Sequence, residues 1–213
     1  MHRLKLKPNQ YKGKLIVFEG TDGAGKTTLI GLTKNYLLRT LQEQEILCVK
    51  QPTDLSRKTK LFQKMMYCAD HADIDYRAVQ LLTMSDRMQH TYEVIEPALR
   101  DGKTVICDRY IYTSLANMLA RGYRKERWFY EAAEHLIRPD HVFLAYVSPE
   151  TAIARIRARP EECNRHLDET LLHGVARQFC EMARREKFCV LDTSQNAEKV
   201  FLSIRRTLQG EIK

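Results

Sequence analysis

No run of the 213-residue sequence stays apolar long enough to cross a membrane. The longest strongly apolar runs are LIVF at 15–18 and VFLAYV at 142–147, against the roughly 20 residues a spanning helix needs. The first 14 residues, MHRLKLKPNQYKGK, are basic but contain no apolar segment of the kind a secretory signal carries. The six cysteines (Cys48, Cys68, Cys107, Cys163, Cys180, Cys189) form no CxxC pair and no zinc spacing. With neither a leader nor paired cysteines, the expectation is a cytoplasmic protein with reduced thiols and no membrane partner. None of the seven histidines stands at ligand spacing with a second histidine and a carboxylate, so no histidine-based metal site is expected. Glycine (9) and proline (6) are sparse, and no linker, repeat or composition break divides the chain. What remains is one domain over residues 1–213, long enough to bury a sizeable core.

What is present is charge and rhythm. The composition is 44% hydrophobic and 29% charged, an ordinary globular balance that excludes disordered, collagen-like and low-complexity classes. The net charge of +8 suits an anionic ligand: a nucleotide, a nucleic acid or an acidic surface. Short apolar runs at 14–19, 46–49, 104–107, 141–147 and 188–191 read as strands. They are continuous rather than alternating, as a parallel sheet covered on both faces requires. Helical patterns separate them at 26–41, 76–100, a pair around 113–136, 149–157, 168–186 and 196–208, with Pro149 at a helix start and Asp101-Gly102 at a helix end. This alternation predicts a doubly wound α/β fold. Residues 52–75 carry many charges and little pattern. Residues 155–168 hold four arginines (Arg155, Arg157, Arg159, Arg165), which as a stretch by itself reads as a solvated helix face and loop.

The sharpest motif is Gly20-Thr21-Asp22-Gly23-Ala24-Gly25-Lys26-Thr27, which fits GxxxxGK[ST] between an apolar strand and an amphipathic helix. Glycines let the backbone curl with its N–H groups inward around a phosphate chain. The lysine reaches the β and γ phosphates, and Thr27 can ligate Mg²⁺. Binding of a nucleoside triphosphate follows. Asp108-Arg109 ends a buried strand, at the edge where ligands bind in this fold class. There a carboxylate can hold Mg²⁺ through water and an arginine can grip a second phosphate.

Six segments carry a resemblance: GTDGAGKTTL at 20–29, Gln51-Pro52, LLTMSDRMQHTYEVIEPAL at 81–99, DRYIYTSLAN at 108–117, RPDHVFLAYVSPETAIARIRAR at 138–159 and VLDTSQNAEKV at 190–200. In that order and spacing the chain resembles the thymidylate kinase family. The resemblance implies a P-loop nucleoside monophosphate kinase fold, with a five-stranded parallel sheet flanked by helices and an arginine-rich lid at about 155–168. It implies a homodimer that transfers the ATP γ-phosphoryl to a deoxynucleoside monophosphate, dTMP to dTDP. Residues 20–28 (Gly20 to Thr28), with Thr193 and Ser194, would hold ATP, and Thr27 and Asp108 the Mg²⁺. Asp22 would contact the acceptor's 3′-hydroxyl, Arg109 its phosphate and Arg87 the pyrimidine O4. Pro52, Thr83, Ser114 and Asn117 would line the acceptor site. Because the loop has Ala24 where some members have an arginine, Arg157, Arg159 or Arg165 of the lid would neutralise the transferring phosphoryl.

Departures from the family pattern lie mostly on the acceptor side. Gln51 stands where Glu precedes Pro, Thr83 where an aromatic stacks on thymine, Asn117 where a tyrosine crowds the sugar 2′ position, and Ala145-Tyr146-Val147 where the family has Leu-Asp-Val. The tyrosines Tyr67, Tyr76, Tyr92, Tyr110 and Tyr112 are candidates to rebuild a base pocket. Two alternatives stay open at this level: a kinase of another, modified or ribo-, nucleoside monophosphate, and a nucleotide-binding protein without turnover. A nucleic-acid-dependent ATPase is disfavoured, because the chain has no room for a separate binding module and its arginines gather in the lid.

Overall fold

The fold, a computed structural model, is described over residues 3–39, 41–162 and 166–209. The apolar runs become five strands: β1 (Lys14–Glu19), β2 (Ile46–Lys50), β3 (Thr104–Asp108), β4 (His141–Tyr146) and β5 (Cys189–Asp192). All pairings are parallel, in the order β2-β3-β1-β4-β5. In this register Val17 pairs with Cys107 on one side, and Phe18 with Phe143 on the other.

Two-sided burial explains the continuous apolar runs. Leu15, Val17, Val105, Cys107 and Leu144 point into one core, and Ile16, Phe18, Ile106, Phe143 and Ala145 into the other. Most residues of the central strands therefore leave water, and polar alternation would bury polar groups. The edge strand β5 escapes this rule, with Val190 52% exposed.

Helices cover both faces. On one lie α1 (Lys26–Leu37), α8 (Pro149–Arg157) and α10 (Ala197–Leu208). On the other lie α4 (Tyr76–His90), α5 (Glu96–Arg100), α6 (Ile111–Ala120), α7 (Arg127–Ala133) and α9 (Glu169–Glu186). Among the described residues no helix is long and apolar enough to span a membrane. The five described cysteines, all but Cys163, are free thiols.

Strand positions agree with the sequence pattern to within a residue or two. Three differences stand out. The expected helix at 26–41 ends at Leu37. The 76–100 stretch is one helical path interrupted by a π turn at Thr91–Ile95, just before Pro97, whose missing N–H breaks the ordinary ladder. Residues 52–75 contain two short helices, α2 (Asp54–Arg57) and α3 (Lys60–Tyr67). Each is started by a threonine cap: Thr53 accepts from Leu55 N at 3.2 Å and Thr59 from Phe62 N at 3.2 Å.

Candidate active site

The phosphate loop leaves β1 at the carboxyl edge of the sheet. Gly20 has φ +137° and Gly23 φ +77°. A Cβ would lie 2.3 Å from the Ala145 carbonyl oxygen at Gly20 and 2.4 Å from that of Ala152 at Gly23. Both conformation and space therefore demand glycine. The Lys26 Nζ donates to the carbonyls of Gly20 (3.0 Å) and Thr21 (2.8 Å), which pins the loop closed on itself. Burial lowers the Lys26 pKa to about 7, helped by the Arg109 charge, against Asp22, Asp108 and Glu19. Thr27 and Thr28 are exposed in the first turn of α1, while Gly20 and Ala24 are buried beneath the loop.

Arg109 is the hub of the neighbouring strand end. It is a non-glycine residue at φ +69°, and its backbone N–H donates to Phe18 O at 2.9 Å. Its guanidinium donates to Gly20 O (2.9 Å), Thr113 Oγ1 (3.2 Å) and Asp22 Oδ1 (2.5 Å). Burial opposes its charge, but Asp22, Asp108 and Glu19 outweigh that and raise its pKa. Strand β3 is thereby tied to the phosphate loop before any ligand arrives. The adjacent Asp108 Oδ1 is buried and has no hydrogen-bond partner among the described residues.

Glu19 lies under this pair, fully buried. It accepts from Tyr110 N (2.8 Å), Thr113 N (3.2 Å) and Thr113 Oγ1 (2.5 Å). Burial raises its pKa, against the Thr113 hydrogen bond and the Arg109 charge. Sequence reading had not singled it out; a carboxylate ending an otherwise apolar run was the available signal.

A cleft of about 440 Å³ opens beside the loop. One face of α4 lines it with Tyr76, Gln80, Thr83 and Arg87, spaced so that they stack along the helix. Arg87 is fully buried, donates to Thr83 O at 3.1 Å, and its Nε has no partner among the described residues. Burial lowers its pKa. Pro52, Ser114 and Asn117 also line the cleft. Asn117 donates to Thr113 O (2.9 Å) and accepts from Arg121 (3.0 Å). The buried Gln51 lies behind the wall, 3.0 Å from His90 Nδ1.

The tyrosine candidates divide. Tyr67 and Tyr76 line the cleft. Tyr92 is 73% exposed and does not. Tyr110 and Tyr112 are core residues: one donates to Ile137 O at 2.9 Å, the other packs on Phe188 at 4.8 Å. The reason is the left-handed turn at Arg109, which sends that side chain to the loop and the next one inward. Among the cleft residues that sequence reading did not single out are Phe62 on α3 and Arg57, whose Nε donates to Pro52 O at 2.6 Å. The threonine caps of α2 and α3 were the signal that could have placed them.

The lid arginines separate as well. Arg155 bridges the two ATP-side loops, donating to Gly23 O (3.3 Å) and Thr193 O (2.9 Å). Arg159 lines the cleft. Arg157 pairs with Glu169 on the exposed face and is not part of the cleft wall. Arg165 lies outside the described residues. Thr193 is anchored by its N–H to Tyr146 O at 2.8 Å, and the exposed Ser194 bonds Asp192.

A closed phosphate loop, an arginine hub joining it to the neighbouring strand, and the adjoining cleft define a P-loop kinase of small phosphorylated acceptors. The family model for thymidylate kinase matches residues 18–204. The chain is 33% identical over 205 residues to a probable thymidylate kinase of Thermococcus kodakarensis, covering 92% of this chain and 98% of the relative. It is 31% identical over 210 residues to a thymidylate kinase of Caldicellulosiruptor saccharolyticus, covering 95% and 98%. The crystal structure of thymidylate kinase from Ehrlichia chaffeensis superposes with a TM-score of 0.65 at 23% identity, over 92% of this chain and 99% of that one, and so shares the fold. The chain belongs to the thymidylate kinase family.

Proposed function

We propose that the protein phosphorylates dTMP to dTDP with ATP and Mg²⁺, through the following division of labour. The loop from Gly20 to Thr28 holds the triphosphate on inward N–H groups at the start of α1. Arg155 and Thr193 set the adenine side. Arg109, with Arg57 beside it, grips the acceptor phosphate, and Arg87 with Thr83 faces the base. Asp22 exchanges its Arg109 partner for the acceptor's sugar hydroxyl. The observation that carries this reading is Arg109 bonded to both Gly20 and Asp22 at the mouth of the cleft, since it brings the two phosphates to one place.

Among the described residues no cluster of three or more His, Cys, Asp or Glu side chains forms a metal cage. That fits Mg²⁺ nevertheless, which favours one carboxylate, waters and substrate phosphates. The unpartnered Asp108 oxygen and the exposed Thr27 hydroxyl would hold it. When bound, it neutralises charge on the phosphates. The chain's own part is positioning and electrostatics. Lys26, Arg109 and Arg159 supply the positive charge around the transferring group, and no protein base is required for such a loose transition state.

A homodimer in the cytoplasm completes the reading. Leu81, Met88 and Tyr92 are exposed along the side of the α4 path turned away from the cleft, a surface suited to a second copy. The test is ADP release with MgATP across dTMP, dUMP, UMP, CMP, dCMP, AMP and GMP, with a no-acceptor control. Preference for dTMP is expected; a flat panel with ATP binding intact would refute it.

A further inference from the structure

The cleft does not end where a thymine would. Toward the start of α4 from Thr83 lies a second pocket of about 220 Å³, between the end of α3, the loop before α4 and the end of α6, which shares part of its wall with the cleft. Met65, His71, Tyr76 and Arg121 form walls of both spaces, and Ile74 and Tyr123 line only the second. The Arg87 guanidinium reaches back to Thr83 O, and from Thr83 to Tyr76 is about 10 Å of helix. Thr83 itself is too small to plug that interval.

The side pocket is polar in a particular way. The Arg121 guanidinium sits over the Tyr76 ring, 4.1 Å from its centroid, and commits one N–H to Asn117 at 3.0 Å. A guanidinium carries five N–H donors and no acceptor. His71 Nε2 is buried without a hydrogen-bond partner among the described residues. An unmatched buried nitrogen beside a fixed cation is costly unless a ligand satisfies it. A methyl group uses none of these features, and water, at about 30 Å³ each, would otherwise have to fill the space.

We propose that this pocket is a subsite for a polar, hydrogen-bond-accepting substituent on the acceptor's base. The protein would then phosphorylate 5-substituted deoxyuridylates larger than dTMP. This rests on the reading of the cleft as the dTMP site. With Arg87 facing O4, the adjacent ring position is C5, where the thymine methyl stands. A group extending that methyl enlarges the base without disturbing O4, the sugar or the phosphate. Hydroxymethyl and carboxyl substituents offer acceptor oxygens to His71 Nε2 and to the guanidinium N–H groups that Arg121 does not spend on Asn117. An ammonium substituent meets the Arg121 charge and is disfavoured, and an alkyl group of equal size leaves His71 Nε2 unmatched.

The experiment measures kcat/KM for dTMP and for dUMP carrying 5-hydroxymethyl, 5-carboxyl, 5-ethyl or 5-aminomethyl groups, all with MgATP. The hydroxymethyl and carboxyl compounds are expected to match dTMP and to exceed the ethyl and aminomethyl compounds by about tenfold or more, because a site built to donate hydrogen bonds rejects analogues that cannot accept them. Arg121→Met should lower the carboxyl-to-dTMP ratio by about tenfold. Ile74→Trp, which fills the side pocket from the wall away from the phosphates, should abolish use of the substituted compounds while dTMP turnover persists and reports the fold. Turnover of dTMP with both polar compounds more than tenfold poorer, or ratios unmoved in both variants, overturns the subsite and leaves the dTMP reading standing. Turnover of the polar compounds without dTMP overturns the dTMP reading alone. If no acceptor is phosphorylated, calorimetric titration decides: 5-carboxy-dUMP binding tighter than dTMP, and weakened by Arg121→Met, supports the subsite, and any other result overturns it.

Discussion

Replacing Glu19 separates what holds Arg109 in place from what Arg109 does. Its two carboxylate oxygens take three hydrogen bonds from the start of α6, two from backbone N–H groups and one from the Thr113 hydroxyl. Glu19→Ala leaves three donors at or near the base of the site without partners. At about 1–3 kcal/mol for each unsatisfied buried donor, taken near the lower end because water can enter the space vacated, the loss is about 3–5 kcal/mol. For a domain of this size that lowers Tm by roughly 6–20 °C. Glu19→Gln keeps one oxygen for the two N–H groups and turns its amide toward Thr113 Oγ1, so it should cost under about 1 kcal/mol. The pH dependence has a definite sign. Burial raises the Glu19 pKa above its ordinary 4.5, so its contribution is complete below pH 4.5 and declines as pH rises through the raised value. The gap in stability between wild type and Glu19→Gln should therefore narrow from pH 4 to pH 8. Because Arg109 adjoins Tyr110 and shares Thr113 with Glu19, Glu19→Ala should also raise the acceptor KM more than the ATP KM. Thermal denaturation across pH and steady-state kinetics read all of this. A gap that widens with pH, or Glu19→Ala as stable as wild type, would refute the reasoning.

Lys26 stands near pKa 7 in the free protein, and phosphate charge raises it, so ATP binding at pH 8 should take up a proton. Calorimetry in buffers of different ionisation enthalpy would show it, and a buffer-independent enthalpy would not fit. Lys26→Ala should abolish turnover while the fold survives. Arg57→Ala should raise the acceptor KM by roughly tenfold or more, a loss of about 1.5–3 kcal/mol for a charged hydrogen bond; an unchanged KM would remove Arg57 from the phosphate site. Thr83→Phe should lower the dTMP KM, since base stacking on an aromatic is worth about 1–3 kcal/mol. An unchanged KM in a protein of unaltered Tm would mean that Phe62 and Tyr67 already cover the base.

The strands, the phosphate loop and most helix positions were legible in the residues. Continuous apolar runs such as LIVF, a glycine pattern between a strand and a helix, and caps such as Ser148-Pro149 are local signals, governed by backbone geometry over a few residues. Asp108-Arg109 was legible for the same reason, as the polar end of a buried run. The partners those residues meet were not. Arg57 and Phe62 reach the cleft, Arg155 joins Gly23 to Thr193, and Arg157 turns away to Glu169. Tyr110 enters the core, although in sequence it is the immediate neighbour of Arg109. An arginine side chain extends several ångströms from its backbone. Where it ends is set by the path of a neighbouring loop, by one left-handed residue, and by strand pairings such as β1 with β3 that join residues about ninety positions apart. Local periodicity carries no record of those long-range pairings, so the identity of the site came from the sequence and its wiring from the tertiary structure.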